Sequence, residues 1–171
     1  MKENPHIFSA KIEWRKNVRE KWGDKAARHL HFADGITLLA QQDNTLVGML
    51  AVQLRSLPAP SAHCTEAFID IIEVDSEYRR RQIGSRLVMV ASDLALESGA
   101  YQLRAWTSED KNEALPFWGS LGFGLAPATV QHGELEIRGF YVTKVLDLEA
   151  KADKDSRCST SRLRSCQMPV W

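Results

Sequence analysis

Apolar side chains recur along this chain at two spacings, every second residue or every third and fourth, and these divide it into short elements. Phe8, Ala10, Ile12 and Trp14 alternate with Ser9, Lys11 and Glu13, the period of a half-buried strand. Trp14, Val18 and Trp22 recur at helical spacing and compete for the same stretch. Asp24 is placed to cap a helix through Phe32, which Ala33-Asp34-Gly35 ends. Ile36 to Gln41 and Thr45 to Arg55 are β-rich runs joined by Gln42-Asp43-Asn44, a hairpin signal. Pro58 and Pro60 make Ser56 to His63 a loop. Ala67 to Val74 is nearly continuous in apolar residues, as a central strand requires.

From Ile83 onward Leu87, Val90, Ala91 and Leu94 form the buried stripe of a helix that Gly99 stops. Gln102 to Thr107 reads as the next strand, and strand–helix–strand order predicts a right-handed parallel crossover. Pro116 is tolerated only in a first turn, so the helix ending at Leu121-Gly122-Phe123 is expected to start with Asn112 as its N-cap. Leu125 to Val130 and Glu134 to Lys144 then close as a hairpin around His132-Gly133. The expected fold is mixed α/β: an antiparallel meander, one helical crossover, a helix and a closing hairpin. One domain spans residues 1–146, and 147–171 form a charged, serine-rich tail with too few apolar anchors to offset the entropy of ordering.

Composition narrows the function. The 171 residues are 44% hydrophobic, enough for one sizeable core. Twenty-two basic and 22 acidic residues cancel, which argues against a general nucleic-acid or membrane-surface binder. No apolar run is long enough to span a bilayer, and Met1 to His6 is too polar for a secretory signal. Cys64, Cys158 and Cys166 offer neither a disulfide framework nor zinc-ligand spacing, so a reduced, cytoplasmic protein without metal is expected.

The candidate chemistry sits between the Ala67 to Val74 strand and the following helix. Arg79-Arg80-Arg81-Gln82-Ile83-Gly84-Ser85 joins basic side chains to unpaired N–H groups and the positive end of a helix dipole, a ready phosphate site. Gly84 lets a ligand approach the backbone closely, and Ser85 adds a hydroxyl. Asp70 lies in an otherwise apolar strand, where an ionised group is costly unless it is paired or faces a cleft. By simple alternation Glu73 points to the opposite face, and Glu66 stands at the start of the strand.

The turn resembles the acyl-CoA-binding motif of the GNAT superfamily, Gln/Arg-x-x-Gly-x-Gly/Ala, with Gln82 in place of the first glycine. Ala114-Leu115-Pro116-Phe117-Trp118-Gly119-Ser120-Leu121-Gly122-Phe123 resembles that family's Ala-x-x-Phe-Tyr-x-x-Leu-Gly-Phe helix. The resemblance covers about residues 36 to 144 and implies a mostly antiparallel sheet whose one parallel pair splays apart to admit pantetheine. It implies acetyl-CoA as co-substrate, held by Ile72, Val74, Arg79, Arg80, Arg81, Gln82, Ile83, Gly84, Ser85, Asn112, Phe117 and Trp118.

Acetyl would pass directly, in a ternary complex, to a primary amine of a small molecule or peptide. Asp70 is the first candidate for general base, with Glu66 and Glu73 behind it. The family's acidic tyrosine falls at Trp118, whose indole does not donate a proton, which leaves Tyr141 or an unassisted thiolate. Acceptor contacts are expected from the N-terminal helices, with Trp14, Trp22, His29 and His31, and from the loops carrying His63 and His132. The acceptor and the oligomeric state, a homodimer included, stay open. The competing readings are a non-catalytic acyl-CoA-binding module and a nucleic-acid or phosphoprotein binder using Arg79 to Arg81.

Overall fold

The structure, a computed structural model, describes residues 4–146. The tail expected from 147 onward and its two cysteines therefore lie outside the described residues. Seven strands form one sheet in the order β1-β2-β3-β4-β5-β7-β6. They are β1 (His6–Ser9), β2 (Gly35–Gln42), β3 (Thr45–Ser56), β4 (Thr65–Val74), β5 (Ala100–Ser108), β6 (Gly124–His132) and β7 (Leu135–Val145). Every pairing is antiparallel except β4 with β5. That pair is joined by α2 (Ile83–Glu97), the crossover expected from the strand–helix–strand order. Pro127, which has no N–H to donate, sits on edge strand β6, where a proline costs no ladder bond on the outer side.

Two apolar layers hold the sheet. On one face α2 buries Ile83, Leu87, Val88, Ala91 and Ala95, with Trp118 of α3 (Ala114–Ser120) and Phe123 beside them. On the other face α1 (Arg15–Arg28) sets Val18 and Ala26 against Leu39, Met49 and Ala51. Gly48 decides how closely α2 approaches, since a Cβ there would lie 3.1 Å from Ile83 Cγ2 and 3.2 Å from Leu87 Cδ1.

The N-terminal stretch departs from the alternating reading. Ile12–Trp14 is a 3₁₀ turn, and the helical stripe of Trp14, Val18 and Trp22 prevails because it packs on the α1-side core. The helix thus begins at Arg15 rather than after Asp24, and Gly23 (φ 85°) breaks it near the expected cap. At the third helix the N-cap is Glu113, not Asn112, and it makes no side-chain capping bond. Pro116 still falls within the first turn, the constraint that located the helix.

Candidate active site

β4 carries the feature that organises the site. Its register against β3 runs Val52↔Ile69 and then Ala51↔Ile71, so Asp70 is an extra residue, a β-bulge. The parallel ladder with β5 ends at the same place, with Ile69↔Ala105 as its last pair. Beyond it β4 follows β3 as far as Val74↔Gly48, while β5 follows β7 to Ser108↔Gly139. The two strands therefore part, and the β5-facing main-chain edge of β4 after Ile69 has no ladder partner.

A cavity of about 840 Å³ opens on one side of the gap, lined by Ile72, Val74, Arg79, Arg80, Gln82, Ile83, Gly84, Ser85, Asn112 and Phe117, among others. A second, of about 470 Å³, lies toward α1 and is lined by Trp22, Lys25, His29, Asp70, Glu73, Trp106, Lys111 and Trp118, among others. Ile72, Glu73, Ala114 and Phe117 border both, so one cleft runs through the sheet.

At the larger cavity, α2 starts from an unusual turn. Arg80 (φ 59°) and Gln82 (φ 61°) both occupy the left-handed region, and no side chain caps the helix. The first intrahelical bond runs from Arg86 N–H to Gln82 O, which leaves the N–H groups of Ile83, Gly84 and Ser85 free of intrahelical acceptors. Left-handed backbone explains why a glycine is preferred at position 82, because a side chain there is strained wherever it points. Arg79 Nε donates to Val74 O at 3.1 Å, and Arg80 Nη2 is 3.2 Å from Glu113 Oε1. Arg81 instead lies over the Tyr78 ring, 5.1 Å from its centroid, and is not among the lining residues. Asn112 lines the cavity with no side-chain bond to another described residue, since Glu113 took the capping position. Asp75 faces Lys21 of α1; that hydrogen bond holds its carboxyl below the usual range despite burial acting in the other direction.

On the α1 side, Asp70 Oδ2 lies 2.5 Å from His31 Nε2. The opposite imidazole nitrogen, Nδ1, is 3.1 Å from Asp34 Oδ1, and Gln53 Nε2 donates to Asp34 Oδ2 at 3.0 Å. The bonds from Gln53 and His31 keep the Asp34 carboxyl below its ordinary pKa. Glu73 does not turn away from Asp70 as alternation implies. Asp70 is itself the extra residue, so alternation is broken at its own position; Glu73 pairs with Met49 of the α1-side core, and both carboxylates line the same cavity.

Two candidates are not brought into the cleft. Glu66 is 3% exposed, with Oε1 taken by Arg55 Nε (2.6 Å) and Oε2 by Gln102 Nε2 (2.8 Å) and Arg104 Nη1 (3.1 Å). Burial raises its pKa, but those three donors outweigh it and hold the carboxyl below the usual range. Its setting is that of an ion cluster, with no free oxygen for a proton from substrate. Tyr141 sits opposite Trp106 on β7, but its ring lies against the Arg104 guanidinium, 4.6 Å away, and does not line either cavity.

Trp118 is 4% exposed and packs edge-on between Phe117 and Phe123, so it is mostly core with one side on the cleft. Among the expected acceptor residues, Trp22 and His29 line the cavity, while His63 and His132 do not. Lys25, Trp106, Thr107 and Lys111 were not singled out in the sequence. A signal existed only for Trp106 and Thr107, which end a strand expected to border the splay.

The acetyltransferase (GNAT) family model matches residues 6–123. This chain belongs to that family. No curated protein sequence matches it significantly. The GNAT acetyltransferase of Streptococcus pneumoniae superposes with a TM-score of 0.65 at 15% identity, over 84% of this chain and 99% of that one. Arabidopsis thaliana NAA60, solved with acetyl-CoA, gives 0.65 at 10% identity, over 82% and 99%. The ribosomal-protein-S18-alanine N-acetyltransferase of Escherichia coli gives 0.64 at 15%, over 84% and 95%. At these identities the likeness is one of fold, and it includes the mixed sheet with a single parallel pair. No helix among the described residues is long and apolar enough to cross a membrane, and none of their His, Cys, Asp and Glu residues cluster as a metal site.

Proposed function

We propose that this GNAT protein transfers acetyl from acetyl-CoA to a primary amine of a small molecule or peptide, with both substrates held at once in the cleft. The observation that carries the reading is the coincidence of three features at one point of β4. The ladder to β5 ends, the bulge presents Asp70, and the phosphate-type cavity meets the α1-side cavity there.

The residues present suit acetyl-CoA. Free N–H groups at the start of α2, with Arg79 and Arg80, fit a pyrophosphate, and the open edge of β4 fits an amide-bearing chain. Bound there, the co-substrate supplies an acetyl group activated as a thioester. Unpaired main-chain donors on the same edge suit negative charge developing on a carbonyl oxygen. The acceptor enters from the α1 side, between Trp22 and Trp106. A lysine-like amine is an ammonium at neutral pH, and its deprotonation at pH 7 costs on the order of 4–5 kcal/mol. Asp70, at the bulge, is the base that takes this proton, and Glu73 is the second carboxylate in reach of the cavity.

Fixing both reactants in one cleft supplies much of the remaining acceleration. Neither Tyr141 nor Trp118 is set to donate a proton, so the sulfur leaves as thiolate and recovers a proton from the attacking nitrogen or water. Acetyl-CoA at a hundred times its Kd should stabilise the protein by about 2.7 kcal/mol, a rise of several degrees in Tm. An amine panel followed by free-thiol release then tests turnover. A cofactor-dependent Tm without thiol release for any amine supports the non-catalytic module, and an unchanged Tm removes the cofactor assignment.

A further inference from the structure

Asp70 is not an isolated carboxylate. His31, just beyond α1, bridges it to Asp34, with contacts of 2.5 Å at Nε2 and 3.1 Å at Nδ1. The imidazole is 14% exposed and Asp70 21%, whereas Asp34 is 55% exposed. One end of the chain of contacts thus lies in the cleft and the other in water. Main-chain bonds fix the ring's position: His31 N–H donates to Thr37 Oγ1 at 3.0 Å, and Thr37 Oγ1 donates to His31 O at 2.8 Å. Hydrogen-bond accounting requires a proton in each contact. An imidazolium supplies both, whereas a neutral ring supplies one and needs a protonated carboxyl at the other.

We propose that Asp34, His31 and Asp70 form a proton exit path, with His31 the positioning and relay residue for the base. This rests on the acetyltransferase reading above. Forming an amide from an ammonium frees two protons from nitrogen. One returns to the departing sulfur. The other passes to Asp70 and on to the vacant Nε2 of a neutral ring protonated at Nδ1; the imidazolium so formed gives its Nδ1 proton to Asp34 and water, and exchange with water returns the ring to its Nδ1 tautomer before the next turnover. One proton enters, one leaves, and the three groups end each cycle with the protons they began with. Lys25 of α1, His29 just after it, Glu73 of β4 and Lys111 beyond β5 are the other charged or titratable groups lining the cavity. They shift the field at Asp70 but leave the connectivity unchanged.

His31→Gln retains one hydrogen bond and cannot carry a proton. With a responsive amine, kcat at pH 7 should fall about tenfold or more. KM for acetyl-CoA should stay within about twofold, and the deficit should close as pH approaches the amine's own pKa. Asp34→Asn, on the surface, should reproduce a smaller deficit with the same pH dependence. A His31→Gln enzyme with wild-type kcat and an unshifted pH–rate profile overturns the relay while leaving the acetyltransferase reading intact. If no amine is turned over, the His31 ring NMR signals at one fixed pH decide independently of activity. They should be displaced in Asp70→Asn, where the partner of Nε2 changes, and superimposable signals overturn the coupling.

Discussion

Asp70→Asn keeps the shape of the bulge while removing the basic oxygen, so its defect belongs to chemistry. The expected fall in kcat/KM for a responsive amine is roughly 10²–10⁴ at neutral pH, shrinking as the free amine becomes abundant. Acetyl-CoA affinity, read by calorimetry, should hardly change, and near-wild-type turnover at pH 7 would move the role to Glu73 or water. Glu66 should behave in the opposite way. Glu66→Gln leaves Arg55 and Arg104 short of a counter-charge in a buried cluster, a loss of about 2–3 kcal/mol, discounted because both arginines keep partial solvent contact. Turnover well below Tm should be unaffected. Because the folded Glu66 pKa is depressed below 4.5, its stabilisation is complete above about that pH and is lost as pH falls through the lower folded value. The variant's acid-denaturation limb should therefore be flatter than that of the wild type. At this scale the sequence singled out Asp70 as a candidate from the cost of a charge in an apolar strand, and the structure places it on the cleft. The sequence placed Glu66 behind Asp70 but gave no sign of the ion cluster that occupies Glu66, because Gln102 and Arg104 arrive from β5.

Among the elements, the turn into α2 was the most legible, since basic residues, a glycine and a helical stripe are adjacent in the chain. Its strain was not legible. Gln82 sits at φ 61°, so Gln82→Gly should raise stability by roughly 0.5–1 kcal/mol in a denaturant titration and leave or improve acetyl-CoA binding. Gly48→Val tests the seating of the same helix. Its added methyls press on Ile83 and Leu87, an overpacking cost of about 1–3 kcal/mol, and should raise the Kd for acetyl-CoA by displacing the first turn. Two elements were misread. Strand and helix signals overlapped across residues 8 to 22; the strand ends at Ser9, and packing of Val18 against Met49 and Leu39 gives the stretch from Arg15 to the helix. The short third helix begins at Ala114, two residues past Asn112, which leaves Asn112 facing the cavity.

For the whole molecule, the core on the α2 face is closed by Phe123, Val142 and Leu146, the last described residue. Removing residues 147–171 should accordingly leave Tm within a few degrees and acetyl-CoA binding unchanged, and a large drop would assign that segment to the core or an interface. Periodicity alone determined most of the strands, the crossover helix and hence a mixed sheet with one parallel pair, because those signals lie within a few residues of one another. Local order likewise determined the basic turn into α2, which needs only a strand, a basic loop and a helix N-terminus in succession. The bulge at Asp70 was decided by tertiary structure, since an extra residue shows only when β4 is laid against β3. So was the contact of Asp70 with His31, 39 positions away, because a hydrogen bond between distant residues depends on how α1 packs and leaves no spacing in the chain.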